Sequence, residues 1–452
     1  MSVAEITALK TINATIESLP VKDSKGVLKS NETSLLPNII GIDYFESILE
    51  PAVTMEIQLW STNSLFNLIP IRGGEKVTLE LETARGTWEF GDDNPLYVYK
   101  VSDLSAEKLS ETFTLHLVSR EFLTNETNRC VRKYEKQNIH EHVKSILKDI
   151  LLTDRYSDET IERTSNNYTF IGNYKKPFHT LQWLGPKSIS ATDSSTKGTS
   201  GDGPTGKANG TAGFLFYENK DGFNFKSIDG LTSSLKVAEG KSEMKESLKV
   251  GKAYSFSAII SESTTKGEPL KIIKWNVEKN IDLRKSLRIG MYSNYTFFYD
   301  MITNKVSGYK YNLKTELKGK NLGKDEIPVP GFGESISRTM FRMSDHGTLE
   351  KGAGLDTSGR DNADMAKSFS RYNLLFTQAI NILVPLNTEL KVGDVIYCEF
   401  PYKNQGGNSN EMDPEISGNY LIRELRHHFT ANQNSTSLKL MRDSYGVYGP
   451  DN

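Results

Sequence analysis

The chain has 452 residues, enough for about three domains, and its 37% hydrophobic and 25% charged residues are the balance of an ordinary globular protein. A net charge of −2 gives no bulk attraction to nucleic acid or to an anionic membrane. Met1 to Leu19 lacks the basic start and apolar stretch of a signal peptide, and no run approaches the roughly 18 apolar residues of a membrane span, so neither is expected.

Aromatic residues are 10%, with 20 Tyr and 20 Phe against 4 Trp, which suits a strand-rich protein. Ala52 to Trp60 alternates, with Val53, Met55, Ile57 and Leu59 on one face. Lys76 to Glu82 repeats the pattern with Val77, Leu79 and Leu81; Leu96 to Val101 and Thr112 to Val118 continue it. Period two places one face of each strand in a core. Gly73-Gly74 and Gly91 to Pro95 supply the turns between them. Together these strands predict an antiparallel barrel or sandwich.

After Asn125 the period changes. Ile139, Val143, Ile146, Leu147 and Ile150 share a helical face over Asn138 to Leu152, with Asn138 as the expected N-cap. Pro177 is expected to open a second helix. Ala191 to Gly210 is almost free of apolar residues and is expected to be a mobile loop. Gly213 to Ile228 reads as a hairpin turning at Lys220-Asp221-Gly222. A helix is expected around Asn276 to Leu287, then strands at Tyr295 to Met301 and Val306 to Lys314. Lys318 to Asp364 reads as a long excursion of weak periodicity. Four closing strands are expected at Leu374 to Val384, Val395 to Phe400, Asn419 to Leu425 and Ser437 to Arg442.

The two strand-rich regions resemble each other. Gly74-Glu75-Lys76-Val77 lines up with Gly393-Asp394-Val395-Ile396, Tyr97 with Tyr420, and Leu115 with Leu438. The spacing from the Tyr to the Leu is 18 residues in both. Shared spacing together with a shared Gly-acid step points to an internal duplication. Three chains, each with two similar units, would present six units around an axis.

Few patterns point to chemistry. Gly201 to Lys207 has phosphate-loop spacing, but Ala208 stands where a magnesium-holding Ser or Thr is needed, and no strand-helix context surrounds it. His140 and His142, two apart on a helix, point to different sides, and His427 and His428 face opposite ways on a strand. No zinc-type cluster appears, and Cys130 and Cys398 stand alone, so buried idle thiols are expected. The basic segment Arg129 to Lys136 reads as a solvated helix face or linker. No catalytic, cofactor-binding or metal-ligating residue is expected, and no cofactor.

Taken in order, these motifs resemble the central baseplate hub protein of contractile-tailed phages of the T-even type. They are more distantly similar to the hub part of type VI secretion spike proteins. The carrying segments are Ile71 to Glu75, Leu96 to Val101, Phe214 to Glu218 with Asp221-Gly222-Phe223, Leu390 to Asp394, Gly418 to Ile422 and Leu438 to Asp443. The departures are the loop at Ala191 to Gly210 and the excursion.

The resemblance implies a β-rich α+β fold with two similar antiparallel, tube-like β-barrels and an α/β region between them. The expected division is a first barrel over 1–124 and an α/β region over 125–286, holding loop 191–210 and hairpin 213–228. A second barrel is expected over 287–317 and 369–446, with the excursion 318–368 inserted in it and a tail at 447–452. It further implies a non-enzymatic homotrimer in the virion baseplate, assembled in the host cytoplasm. That trimer would join the tail-tube protein to a central spike, lie among wedge proteins, avoid membranes, and pass genome DNA through its lumen without specific binding. A tail-associated cell-wall hydrolase and a host-glycan-binding tail protein are the alternative readings.

Overall fold

The computed structural model describes residues 9–22, 28–62, 71–83, 86–107, 110–191, 212–233, 254–259, 270–279, 282–301, 303–316, 335–344, 358–402, 411–430 and 434–446, with Leu65, Ile69 and Leu322 between them. The loop at 192–210, most of the excursion and the tail at 447–452 lie outside the described residues.

The first strands are β1 (Leu9–Glu17), β2 (Val21–Lys22), β3 (Leu28–Lys29), β4 (Glu32–Ser34), β5 (Ile39–Ser47), β6 (Thr54–Ser61), β7 (Lys76–Thr83), β8 (Gly86–Phe90), β9 (Leu96–Ala106) and β10 (Glu111–Ser119). Then come α1 (Arg120–Thr127), β11 (Lys133–Asn138), α2 (Ile139–Asp149), β12 (Asn167–Ile171), α3 (Pro177–Leu184), β13 (Phe214–Asn219), β14 (Gly222–Ser227) and α4 (Ile228–Ser233). The chain continues with β15 (Ser255–Ser257), β16 (Lys274–Lys279), α5 (Leu283–Arg288), β17 (Ser293–Asp300), β18 (Lys305–Asn312), α6 (Leu313–Glu316), β19 (Arg338–Met343) and α7 (Ser358–Leu374). It closes with β20 (Gln378–Pro385), β21 (Val395–Glu399), β22 (Gly418–Thr430) and β23 (Ser435–Arg442).

Alternation decides which face of each strand is buried. Met55, Ile57 and Leu59 on β6, and Val77, Leu79 and Leu81 on β7, all enter one core with their counterparts Ile380, Ile382, Ile396 and Cys398. That core underlies a single large sheet running β16-β20-β23-β22-β5-β6-β10-β9-β7-β1-β4. The path is open at both ends and no closed barrel is traced among the described strands; off the path, β15 pairs β21 and its Ser257 bridges Lys271 just before β16.

Two stretches of this path repeat. The order β5-β6-β10-β9-β7 has its twin in β16-β20-β23-β22-β21. Ile42 opposes Ile57 and Ile57 opposes Leu115; in the twin, Trp275 opposes Ile382 and Ile382 opposes Leu438. Tyr99 is the extra residue of a bulge between Val98, opposite Leu117, and Lys100, opposite His116. Arg423 occupies the same bulge, between Ile422, opposite Leu440, and Glu424, opposite Lys439. The Gly-acid steps share their bonding: Gly74 N–H donates to Val98 O at 2.7 Å and Val98 N–H to Glu75 O at 3.0 Å. Gly393 N–H donates to Ile422 O at 3.1 Å and Ile422 N–H to Asp394 O at 2.9 Å. Both glycines hold positive φ, 96° and 87°.

The matched hydrogen bonds correct the residue-by-residue alignment. Tyr97 corresponds to Leu421, not to Tyr420, because Lys76 opposes Tyr97 and Val395 opposes Leu421. The first unit has a second irregularity between Ser102 and Ser105, where Asp103 takes φ 56°, and the twin lacks it. That added residue makes the Tyr97–Leu115 spacing one longer than the true Leu421–Leu438 spacing, which is why Tyr420 imitates the partner of Tyr97.

The α/β region has its own core, built by α2, α3, the β11–β12 ribbon and the β13–β14 hairpin. Ile139, Val143, Ile146 and Leu147 bury one face of α2, as their spacing requires. Asn138 stands at the N-cap position but its side chain makes no capping bond. Pro177 opens α3. Phe216 and Phe223 stack across the hairpin at 5.7 Å.

Several expected elements are corrected. Asn276 lies in strand β16, which pairs with β20, and helix starts only at Leu283; a stretch with exposed and half-buried residues in alternation is a sheet edge rather than a helix face. Leu374 ends helix α7, and the strand begins at Gln378. Residues 293–312 add no strand to the large sheet, since β17 pairs with β18 and, in parallel, with β19. Of the two readings of the basic segment at Arg129 to Lys136, the helix face is not found: it is extended chain leading into β11, with Arg132 bonded to Asp149 at 2.7 Å.

Candidate functional site

The two repeated units meet at one seam. Past its bulge, β22 pairs antiparallel with β5, from Glu424 opposite Ser47 to Thr430 opposite Gly41. The Arg426 guanidinium donates in a fork to both oxygens of buried Asp43, at 2.8 and 2.9 Å. His428 Nδ1 lies 2.6 Å from Asp43 Oδ1. His427 faces the other way, as expected for adjacent strand residues, and is buried against Tyr44 at 6.3 Å between ring centroids. Burial pushes the His427 imidazole down to about 3, so it stays neutral, with Nδ1 bonded to Thr436 Oγ1 at 2.9 Å.

Glu46 crosses the same seam. Its carboxylate accepts from the Tyr44 hydroxyl at 2.9 Å, from Lys220 N–H at 2.7 Å and from Val392 N–H at 2.9 Å. One side chain thus pins β5 to the β13–β14 turn and to the loop before β21. Burial raises its carboxyl from 4.5 to about 7 against the lowering effect of those donors. Glu218 is a second such pin: it accepts from Val53 N–H, Ser119 Oγ and Arg155, the last at 2.6 Å. A third knot joins Arg371 of α7 to Asp229 at 2.6 Å and to Asp443 at 2.5 Å.

These carboxylates do not assemble into a reacting centre. A groove of about 480 Å³ is lined by Glu17, Glu32, Lys76, Glu80, Glu89 and Asp92 among others. Glu46, Glu218 and Asp394, whose carboxyls burial raises, are absent from its lining. Lys76 bonds Asp92 at 2.5 Å and holds its carboxyl low. His140 and His142 are core residues, held by Thr164 Oγ1 at 3.1 Å and by Tyr168 O at 2.7 Å. Cys130 and Cys398 are buried free thiols. Among the described residues no group of three or more His, Cys, Asp or Glu is placed to hold a metal ion.

The described surface also carries an exposed apolar group. The outward face of β17–β19 presents Tyr299, Val306, Phe341 and Met343, with Phe341 79% exposed and stacked on Phe297 at 5.0 Å. Sequence reading missed this patch because β19 falls inside the stretch read as an aperiodic excursion. Single apolar residues on a surface are ordinary, but a contiguous group marks an interaction face.

The geometry defines a β-rich protein built from a duplicated strand unit whose copies join edge to edge. Its sequence is similar to "Probable baseplate hub protein gp334" of Vibrio phage KVP40 (isolate Vibrio parahaemolyticus/Japan/Matsuzaki/1991), at 19% identity over 317 residues, 69% of this chain and 67% of that protein. That relative is a phage baseplate hub protein, the class that the ordered sequence motifs resemble. No family model matches the chain. Among solved structures it is similar to a tail protein from Neisseria meningitidis MC58, with 9% identity, 95% of this chain and 97% of that chain covered, and a TM-score of 0.48. It is also similar to the 43 kDa tail protein of prophage MuSo2 from Shewanella oneidensis, with 8% identity, 95% and 98% covered, and a TM-score of 0.45. For the Escherichia coli c3393 protein, a type VI secretion component, the values are 9%, 92% and 76%, and 0.43.

Proposed function

We propose that this chain is a structural, non-enzymatic subunit of a phage tail baseplate hub. In this reading three copies form a pseudo-sixfold ring. One end meets the hexameric tail tube, the other seats the trimeric central spike, and wedge proteins surround it. DNA passes through the lumen without specific contacts. The virion tail is its place, and the host cytoplasm is where it assembles.

The observation that carries the reading is the duplicated five-strand unit. Two units of matched strand order, register and bulge position in one chain let three chains approximate six equivalent positions. Sequence similarity to a phage baseplate hub protein supports the same class. Residues 1–124 would supply the first tube-like barrel. The second would be built around 369–446, with β15 and β16 completing its sheet, and the α/β region would lie outside the ring. The carboxylates raised by burial are fixed inside the fold away from the groove, which suits a scaffold rather than a hydrolase.

The test is the assembled mass. Light scattering on the chain, alone and mixed with the spike protein of its own phage, is expected to give three copies per particle. A monomer under both conditions overturns the reading. A zymogram on host cell walls is expected to show no clearing; clearing by this chain alone overturns the non-enzymatic role.

A further inference from the structure

Among the described strands, the internal seam has a counterpart to which no strand is paired. Within the chain, the outer half of β22 joins the second unit to β5 of the first. By the duplication, the counterpart of that half of β22 is the outer half of β9, Lys100 to Ala106, and the counterpart of β5 is β16. Both counterparts lack a partner strand on the relevant side among the described strands. β7 pairs β9 only at Leu96 and Tyr97, and β16 ends the sheet with β20 as its neighbour. Asp103 to Glu107 is exposed, and so are Lys274, Asn276 and Glu278. Leu104, 52% exposed, is the large exposed apolar side chain of this edge.

We infer that adjacent copies of this chain join by antiparallel pairing of β9 of one copy with β16 of the next, in the register of the internal seam. The inference rests on the ring proposed above and names the edges that close it. Carrying the internal pairs over gives the register. His428 opposite Asp43 becomes Ser105 opposite Asn276, because Ser105 opposes Thr112 as His428 opposes Ser435, and Asn276 opposes Asn381 as Asp43 opposes Glu56. Phe429 opposite Ile42 becomes Ala106 opposite Trp275, and Thr430 opposite Gly41 becomes Glu107 opposite Lys274. The last pair sets opposite charges face to face, which favours this register. Leu104 falls beside half-buried Val277. The contact is head-to-tail, with different edges from each copy, so it propagates around a ring and closes only when the rotation per copy divides a full turn. A sheet edge with no neighbouring strand is an aggregation hazard, and a second copy would cover the two edges that have none among the described strands.

The experiment places one cysteine on each edge, Ser105→Cys and Asn276→Cys, in the full chain. Side chains at the equivalent internal pair touch, so the introduced thiols face each other across the junction. Mild oxidation of the assembled protein is expected to give covalent dimers and trimers on a non-reducing gel, lost on reduction and absent from either single variant. Particles of three copies by light scattering that do not cross-link would overturn this edge assignment and leave the ring standing. Failure to form three-copy particles at all, in the parent chain and with spike protein present, would overturn both. As a second readout, Glu107→Lys and Lys274→Glu are each expected to raise the dissociation constant of the trimer several-fold, and the two combined to restore it. Additive losses in the double variant would count against the register.

Discussion

Glu46 and His427 sit on the paired strands of the seam, and burial drives their proton equilibria in opposite directions. Folded Glu46 titrates near 7 against 4.5 for a free carboxyl, so between those values the folded state holds a proton that the unfolded state has released. Its contribution is therefore fully present below pH 4.5 and is lost as pH rises through 7. Folded His427 titrates near 3 against 6.5, so its contribution is present above pH 6.5 and is lost as pH falls. Between pH 4.5 and 6.5 the two slopes offset each other. Glu46→Gln removes one of them. Measured by denaturant unfolding, the stability of the variant relative to the parent is expected to rise by about 1.4 kcal/mol per pH unit across that window. A parallel pair of curves would show that Glu46 does not titrate there. At fixed pH the variant also loses an acceptor for a buried backbone N–H, at a cost of about 1–3 kcal/mol.

The paired glycines offer a second test at this scale. Gly74 and Gly393 share a left-handed backbone, so an added Cβ strains both. A Cβ on Gly393 runs into the Tyr217 hydroxyl, whereas on Gly74 it meets only Leu19 Cδ2 at 3.8 Å. Gly393→Ala is expected to destabilise more than Gly74→Ala, by at least about 1 kcal/mol in thermal or denaturant unfolding. Equal losses would mean that the hairpin packed beside Gly393 yields freely. The Gly-acid step was readable in the sequence at both positions, but the neighbour that makes one of them intolerant was not, because Tyr217 is brought there by the β13–β14 hairpin, far away in the chain.

At the level of elements, helix α7 is fastened by charge as well as by packing. Arg371 is buried and donates to Asp229 of α4 and to Asp443 beyond β23. Arg371→Met leaves two buried carboxylates without their cation, and unfolding measurements are expected to show a loss of about 3–5 kcal/mol. Replacing all three residues with apolar side chains is expected to recover most of it; if the single variant is instead neutral, the knot is not holding the helix. The start of this helix falls in the stretch that reads as an aperiodic excursion, and its last residue, Leu374, reads as the start of a strand, since a short apolar run fits either period until its length and neighbours are known. The opposite error at Asn276 to Leu287 has a related origin. A short edge strand runs directly into a short helix there, and the apolar spacing of the two together imitates one helical face.

For the whole molecule, the main consequence of the fold is that its two units form one continuous sheet. The outer half of β22 lies on β5, so the apolar faces of both units feed a shared core. Loosening that seam is expected to weaken the entire sheet rather than one half. Asp43→Ala strips Arg426 and His428 of their shared acceptor, and the expected result is a single unfolding transition lowered by about 1.5–3 kcal/mol. Two separated transitions would show the units to be independent domains.

Alternation in the sequence determined which apolar side chains are buried on β6, β7 and β10, and helical spacing determined the buried face of α2. The repeated Gly-acid step and its spacing revealed that the strand unit occurs twice. Those features are local: a period of two or of 3.6 follows from backbone geometry over a few residues. Which strand lies beside which was decided only in three dimensions. Edge pairing between β5 and β22 unites residues nearly four hundred positions apart, and nothing in either strand's pattern names its partner. The same holds for the separate sheet of β17, β18 and β19, and for the extra residue near Asp103 that shifts the alignment by one. A bulge consumes a residue without altering the hydrophobic pattern around it, so only hydrogen bonding shows where it falls.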